Sequence, residues 1–129
     1  MGTHAELAVE ATGLAKAYKD VRVLDGVDLK VPSGTVFALL GPNGAGKTTT
    51  VRMLCALIAP TRGTASVCGE ELVKGAEALR PHVGILTETP GLYERLTAWE
   101  NLDLFARLYG MAKSDRASRI EKHLHAFDL

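Results

Sequence analysis

GPNGAGKTT, from Gly41 to Thr49, satisfies the pattern GxxxxGK[ST] with Gly41, Gly46, Lys47 and Thr48 in its fixed positions, the signature of a phosphate-binding P-loop. A nucleoside triphosphate is best met by a concave run of backbone N–H groups, which bulky side chains would hold at a distance. Gly41, Gly44 and Gly46 keep this loop bare, and the residues expected to meet the ligand are Asn43, Gly44, Ala45, Gly46, Lys47, Thr48 and Thr49. Lys47 is placed to reach the β and γ phosphates and Thr48 to offer its hydroxyl to Mg²⁺, while the helix that begins here turns its positive dipole end toward the anion. The competing reading is a glycine-rich turn with no ligand. A P-loop needs a strand before it and a helix after it, and both are predicted. Thr35 to Leu40 (TVFALL) is a short apolar run suited to a buried strand, and Thr48 to Ile58 carries Val51, Leu54, Cys55 and Ile58 at helical spacing.

The 129 residues suffice for one domain or part of one. Lys and Arg total 15 and Asp and Glu total 15, so the chain has neither the basic field of a nucleic-acid binder nor an acidic tail. Its longest apolar runs, Val36 to Leu40 and Leu54 to Ala59, fall short of the ~20 residues that span a bilayer. Met1 to Ala8 shows neither the basic start nor the apolar stretch of a secretory signal. Cys55 and Cys68 lack CxxC spacing and lie in apolar surroundings, which predicts buried, reduced thiols and a cytosolic setting.

Along the chain, Leu7 to Leu14 reads as a first strand ending near Gly13, followed by a connection from Ala15 to Asp25 that holds Tyr18. Val27 to Val31 alternates as a half-buried strand, and Pro32-Ser33-Gly34 turns toward the P-loop. Beyond the P-loop helix, Ala59 to Gly63 (APTRG) is a turn, Thr64 to Cys68 a strand, Glu77 to His82 one or two helical turns, and Val83 to Thr87 (VGILT) a core strand. Pro90 and Gly91 mark a loop from Glu88 to Leu96. Thr97 and Glu100 form a capping box for a helix ending at Gly110, with Leu102, Phe105, Leu108 and Tyr109 as its packing face. Ser114 is a candidate cap for a last helix that shows Ala117, Ile120, Leu124 and Phe127 on one side. The four histidines, His4, His82, His123 and His125, read as surface or helix residues.

The run LDGVDLKVPSGTVFALLGPNGAGKTTTVRML, from Leu24 to Leu54, resembles the ATP-binding cassette of ABC transporters around its P-loop. APTRG resembles the family's turn after the P-loop helix, and LYERLTAWENL, from Leu92 to Leu102, its passage from the Q-loop into the helical subdomain. The resemblance implies an α/β fold: a P-loop NTPase core with an N-terminal antiparallel β-subdomain over 5–87, a Q-loop-like segment over 88–96 and the start of a helical subdomain over 97–129. It places Tyr18 where the family stacks an aromatic ring on adenine, although a tyrosine in a loop is by itself more often a packing residue. It places Glu88 where the family carries a glutamine that reaches Mg²⁺ and the attacking water. A carboxylate can still offer the metal an oxygen, but it adds charge and loses an amide donor, and a solvated loop carboxylate is the competing reading.

By the same resemblance, the cofactors are ATP and Mg²⁺, and the partners are a membrane-spanning transporter subunit and a second cassette arranged head to tail. The location is the cytoplasmic face of the membrane, and no nucleic acid is expected. The segment TETPGLYERLT, from Thr87 to Thr97, is similar to cassettes of bacterial export systems whose ATPase and membrane protein are separate chains. The sequence shows no LSGGQ-like signature and no apolar run ending in Asp-Glu. It therefore reads as the N-terminal part of an incomplete domain, in which Lys47 and Glu88 are the catalytic candidates and hydrolysis depends on residues elsewhere. A soluble ABC-type ATPase acting on DNA or ribosomes, and a truncated chain without function, are the alternatives. A small P-loop kinase or GTPase is disfavoured by the absence of an NKxD motif.

Overall fold

The structure, a computed structural model, describes residues 6–89 and 91–129. His4, Pro90 and Ala5, the residue at which the β-subdomain was expected to begin, lie outside the described residues. The chain forms two compact units, one ending at Ile85 and the other running from Leu86 to Leu129.

The first unit is built on β1 (Leu7–Tyr18), β2 (Val21–Pro32), β3 (Arg62–Val67) and β4 (Glu70–Glu71). They form an antiparallel sheet in the order β2-β1-β3-β4. β1 does not end near Gly13 as its sequence suggests. Gly13 makes a bulge instead, with the register shifting between Ala11 and Leu14 and its N–H donated to Asp28 Oδ1 at 2.7 Å. A glycine inside a strand marks such a bulge or a close backbone approach as readily as an end. The stretch expected to be a connection is therefore a tight hairpin: Tyr18 pairs with Val21 across Lys19 and Asp20, with Lys19 at φ +53°.

Helix α1 (Lys47–Leu54) follows the glycine loop. It ends sooner than the expected Ile58, since Cys55 caps it and Ala56 takes a left-handed conformation at φ +52°. Its buried side is centred on Thr50 and Met53 rather than on Val51, which is exposed. Met53 joins Ala11, Leu14, Leu24, Ala65, Val67, Leu72 and Leu79 in one core between the sheet, α1 and the short turns that follow β4. Those turns are a 3-10 turn at Leu72–Lys74, helix α2 (Ala76–Leu79) and a second 3-10 turn at Arg80–His82.

Two expected strands do not form. Thr35 to Leu40 and Val83 to Thr87 take no regular secondary structure and pair with no strand among the described residues. Val36 is fully exposed, and Leu40 and Leu86 nearly so. A strand is held by hydrogen bonds to a neighbour, so apolar composition alone does not make one. Cys68 also departs from expectation, being exposed in a left-handed turn at φ +50°, whereas Cys55 is half-buried and burial pushes its thiol up; both are free.

The second unit holds α3 (Ala98–Leu108) and α4 (Lys113–Ala126). The capping box is present: Thr97 Oγ1 accepts from the Glu100 N–H, and the Thr97 N–H donates to Glu100 Oε2 at 2.8 Å. The residues α3 buries are polar, Asn101 and Asp103, while Leu108 and Tyr109 of the expected packing face are exposed. Asn101 accounts for this by stitching the preceding loop, accepting from the Tyr93 N–H at 2.9 Å and donating to the carbonyls of Tyr93, Leu96 and Thr97. Asp103 accepts from Arg107 Nε at 2.7 Å. Its other oxygen lies 3.0 Å from Arg116 Nε of α4, within ion-pair reach but off the line a hydrogen bond needs. Ala112, not Ser114, caps α4, and of that helix's expected packing face only Ile120 is fully buried.

The backbone and side-chain hydrogen bonds from Thr97 hold the Glu100 carboxyl below the usual range. Its contribution to α3 is then fully present above the ordinary value of 4.5 and is lost as pH falls through the lower folded value. Replacing Thr97 by alanine is expected to cost about 1 kcal/mol, as the loss of an N-cap usually does, and to flatten this acid limb. Urea titrations of both forms between neutral and acid pH check it, and an unchanged acid limb would remove Glu100 from the account.

Candidate functional site

The glycine loop takes its shape from a packing contact with the sheet. Gly46 precedes α1 at φ +84°, a conformation side-chain-bearing residues rarely adopt. A Cβ there would stand 2.7 Å from Leu24 Cδ1 and 3.2 Å from the Val23 carbonyl oxygen. β2 is thus the wall against which the loop turns into the helix. Gly46 is buried by this contact, whereas Asn43, Gly44, Ala45 and Thr48 are exposed and Lys47 and Thr49 half-buried.

At the mouth of α1 no side chain caps the helix, and its first turn holds no acidic residue. The free N–H groups and positive dipole end of a helix start, left without an internal partner, attract an anion. The one cation of the loop is held directly there: Lys47 Nζ donates to the carbonyls of Gly41 at 2.6 Å and Pro42 at 2.7 Å. Behind it, Thr50 is buried and returns its hydroxyl to the Gly46 carbonyl at 2.9 Å, so the first turn is fixed from within.

Tyr18 lies at the end of β1 and is about half exposed. Leu24, the residue that packs on Gly46, pairs with Lys16, and Val21 with Tyr18. Three residues of strand separate Leu24 from Val21, roughly 10 Å of rise. A cavity of about 320 Å³ beside the hairpin end is lined by Lys16, Arg22, Leu24, Asp25, Thr61 and Arg62. Asp25 holds its rim, with Arg22 at 2.7 Å and Arg62 at 3.1 Å.

Glu88 belongs to the second unit, where its side chain is exposed. The segment after it forms, with α3 and α4, an apolar groove of about 780 Å³ whose lining includes Leu92, Tyr93, Leu96, Leu102, Leu124 and Phe127. Among the described residues no three His, Cys, Asp or Glu side chains converge on one point. None of the helices described is long and apolar enough to cross a membrane.

The model of the family described as ABC transporter matches residues 24–129. The chain belongs to the ABC transporter family. Among its relatives is the daunorubicin resistance ATP-binding protein DrrA3 of Streptomyces coeruleorubidus, 42% identical over 125 residues that make up 97% of this chain and 40% of that protein. The daunorubicin/doxorubicin resistance ATP-binding protein DrrA of Streptomyces peucetius is 39% identical over 129 residues, 100% of this chain and 39% of that one. A solved structure described as an ATP-binding subunit of an ABC transporter superposes with a TM-score of 0.80 at 38% identity, covering 95% of this chain and 51% of that one. The chain thus spans about two fifths of the length of these curated relatives and about half of the solved chain.

For this ABC family member the sequence pattern numbers the candidate loop residues, but not what supports them. Leu24 and Val23, which shape the loop at Gly46, lie in a stretch whose sequence reads as a connection, so they carry no signal. The contact of the Lys16 ammonium with the Tyr18 ring is hinted at only by i, i+2 spacing, which puts two side chains on one strand face.

Proposed function

We propose that the chain is the nucleotide-holding part of the ATP-binding subunit of an export-type ABC transporter, in which ATP hydrolysis drives a separate membrane subunit. One observation carries the reading: α1 opens from the glycine loop with an uncapped, acid-free first turn beside the Lys47 ammonium. The bare loop and the Cβ-intolerant turn at Gly46 fit a triphosphate.

Asn43, Gly44, Ala45, Gly46 and Thr49 would contribute to the cradle, and Lys47 would exchange its contacts with the Gly41 and Pro42 carbonyls for the β and γ phosphates. Thr48, whose side chain is exposed, would offer a hydroxyl to Mg²⁺; a carboxylate oxygen from Glu88 is proposed on the resemblance alone. When bound, Mg²⁺ neutralises charge across the transferring phosphates. Tyr18 would stack on adenine. A second cassette would close the site and supply what hydrolysis further needs. The apolar groove after Glu88 supports docking of the membrane subunit, on the cytoplasmic side. The names of two further relatives, Nod factor export ATP-binding proteins, support an export role.

Replacing Tyr18 by alanine tests the assignment of the base. Stacking on an aromatic ring is worth ~1–3 kcal/mol, so ATP should bind about 10-fold more weakly while inorganic tripolyphosphate binds as before. Calorimetric titration with each ligand separates the cases, and equal losses for both would make Tyr18 a structural residue only.

A further inference from the structure

Lys16 stands two residues before Tyr18 on β1, and its ammonium lies over the tyrosine ring, 4.9 Å from the centroid. That ammonium is not free to wander. Lys16 Nζ donates to the Ala59 carbonyl at 2.7 Å, in the turn that follows α1. The turn is itself tied to the same stretch of β1: the Thr61 N–H donates to the Ala15 carbonyl at 2.9 Å, and the Ala17 N–H to Thr61 Oγ1 at 3.0 Å. Lys16 is half-buried, while Tyr18 keeps 48% of its surface exposed. The arrangement therefore runs from the turn after α1, through a fixed ammonium, to one face of the exposed ring.

We propose that Lys16 is a positioning residue for nucleotide binding, holding Tyr18 by a cation–π contact on one face so that the other is presented to the base. This rests on the reading of Tyr18 as the adenine-stacking residue. An exposed tyrosine at a hairpin end otherwise samples several rotamers, and a ligand that stacks on it must select one. A cation fixed over the ring makes that selection before the ligand arrives. Lys16 touches no phosphate in this scheme, which separates it from Lys47.

The test is a double-mutant cycle in the full chain, with Lys16→Met, Lys16→Arg, Tyr18→Ala and the Lys16→Met/Tyr18→Ala pair titrated with ATP and with inorganic tripolyphosphate. Thermal melts confirm that each variant is folded. Lys16→Met is expected to weaken ATP about 2- to 5-fold, the factor a cation–π contact carries at a partly exposed site. Tripolyphosphate should bind unchanged, Lys16→Arg should restore ATP binding, and in the Tyr18→Ala background the Lys16 change should have no further effect. Equal losses for both ligands would show that Lys16 acts on the phosphates, and a loss that persists without Tyr18 would show that it acts elsewhere; either overturns the proposal. If Tyr18→Ala weakens ATP while Lys16→Met does not, positioning fails and stacking stands. If neither weakens ATP, stacking fails and positioning with it.

Discussion

Replacing Lys47 by alanine is expected to lower ATP affinity on the order of 100-fold, the effect of removing a charge-assisted partner from an anionic ligand. The loop offers no second cation within GPNGAGKTT, so nothing next to it can take over. Lys47 also ties the Gly41 and Pro42 carbonyls, and its loss frees the loop as well as removing charge. Both effects act on the ligand more than on the fold, because the core beneath is made by Thr50, Met53 and Leu24, which the substitution leaves in place. The expected pattern is a large loss of ATP and tripolyphosphate binding by calorimetry with little change in melting temperature. Comparable affinity in the variant would mean that the loop is a turn and no more.

The largest effect on stability is expected at Gly63, the first glycine after α1. It sits at φ +84°, and a Cβ there would lie 2.2 Å from the Gly13 carbonyl oxygen and 2.6 Å from the Leu14 nitrogen. These are backbone atoms of the central strand, so no side chain can swing aside. Left-handed strain of ~1–2 kcal/mol and overpacking of ~1–3 kcal/mol combine, and Gly63→Ala should cost about 2–5 kcal/mol, read as a lower urea midpoint at unchanged slope. β3 pairs with β1 at Arg62 and Ala15, beside Thr61 and the Lys16 anchor, so the strain falls on the hairpin that carries Tyr18. A cost below ~1 kcal/mol would mean that Gly13 and Gly63 are not forced together.

These two glycines also mark what the sequence could and could not disclose. Single residues with a strict local role were legible: Lys47 opens α1, and Thr97 with Glu100 closes a capping box, because each acts within a few residues of itself. Gly13 was not, since a glycine in an alternating run signals an end and a bulge equally, and only its pairing with Asp28 and Gly63 decides. TVFALL and VGILT have the composition of core strands, yet a strand also depends on a neighbour to bond to, and none pairs with them among the described residues. On α3 the apolar stripe suggested the packing side, whereas the buried side is set by Asn101 and Asp103, whose partners come from the preceding loop and from α4. For the candidate site, the motif named the cradle, and the resemblance added Tyr18 and Glu88. The side chains and carbonyls that brace it, at Leu24, Val23 and Ala59, become visible only once the chain is folded.

Calorimetric titration of the chain with ATP and Mg²⁺, alongside Lys47→Ala, asks whether the loop from Gly41 to Thr49 holds the phosphates of ATP. Saturable binding of one nucleotide per chain is expected, and the substitution should all but abolish it. Absence of saturable heat from the folded chain, or binding that survives without Lys47, would contradict it.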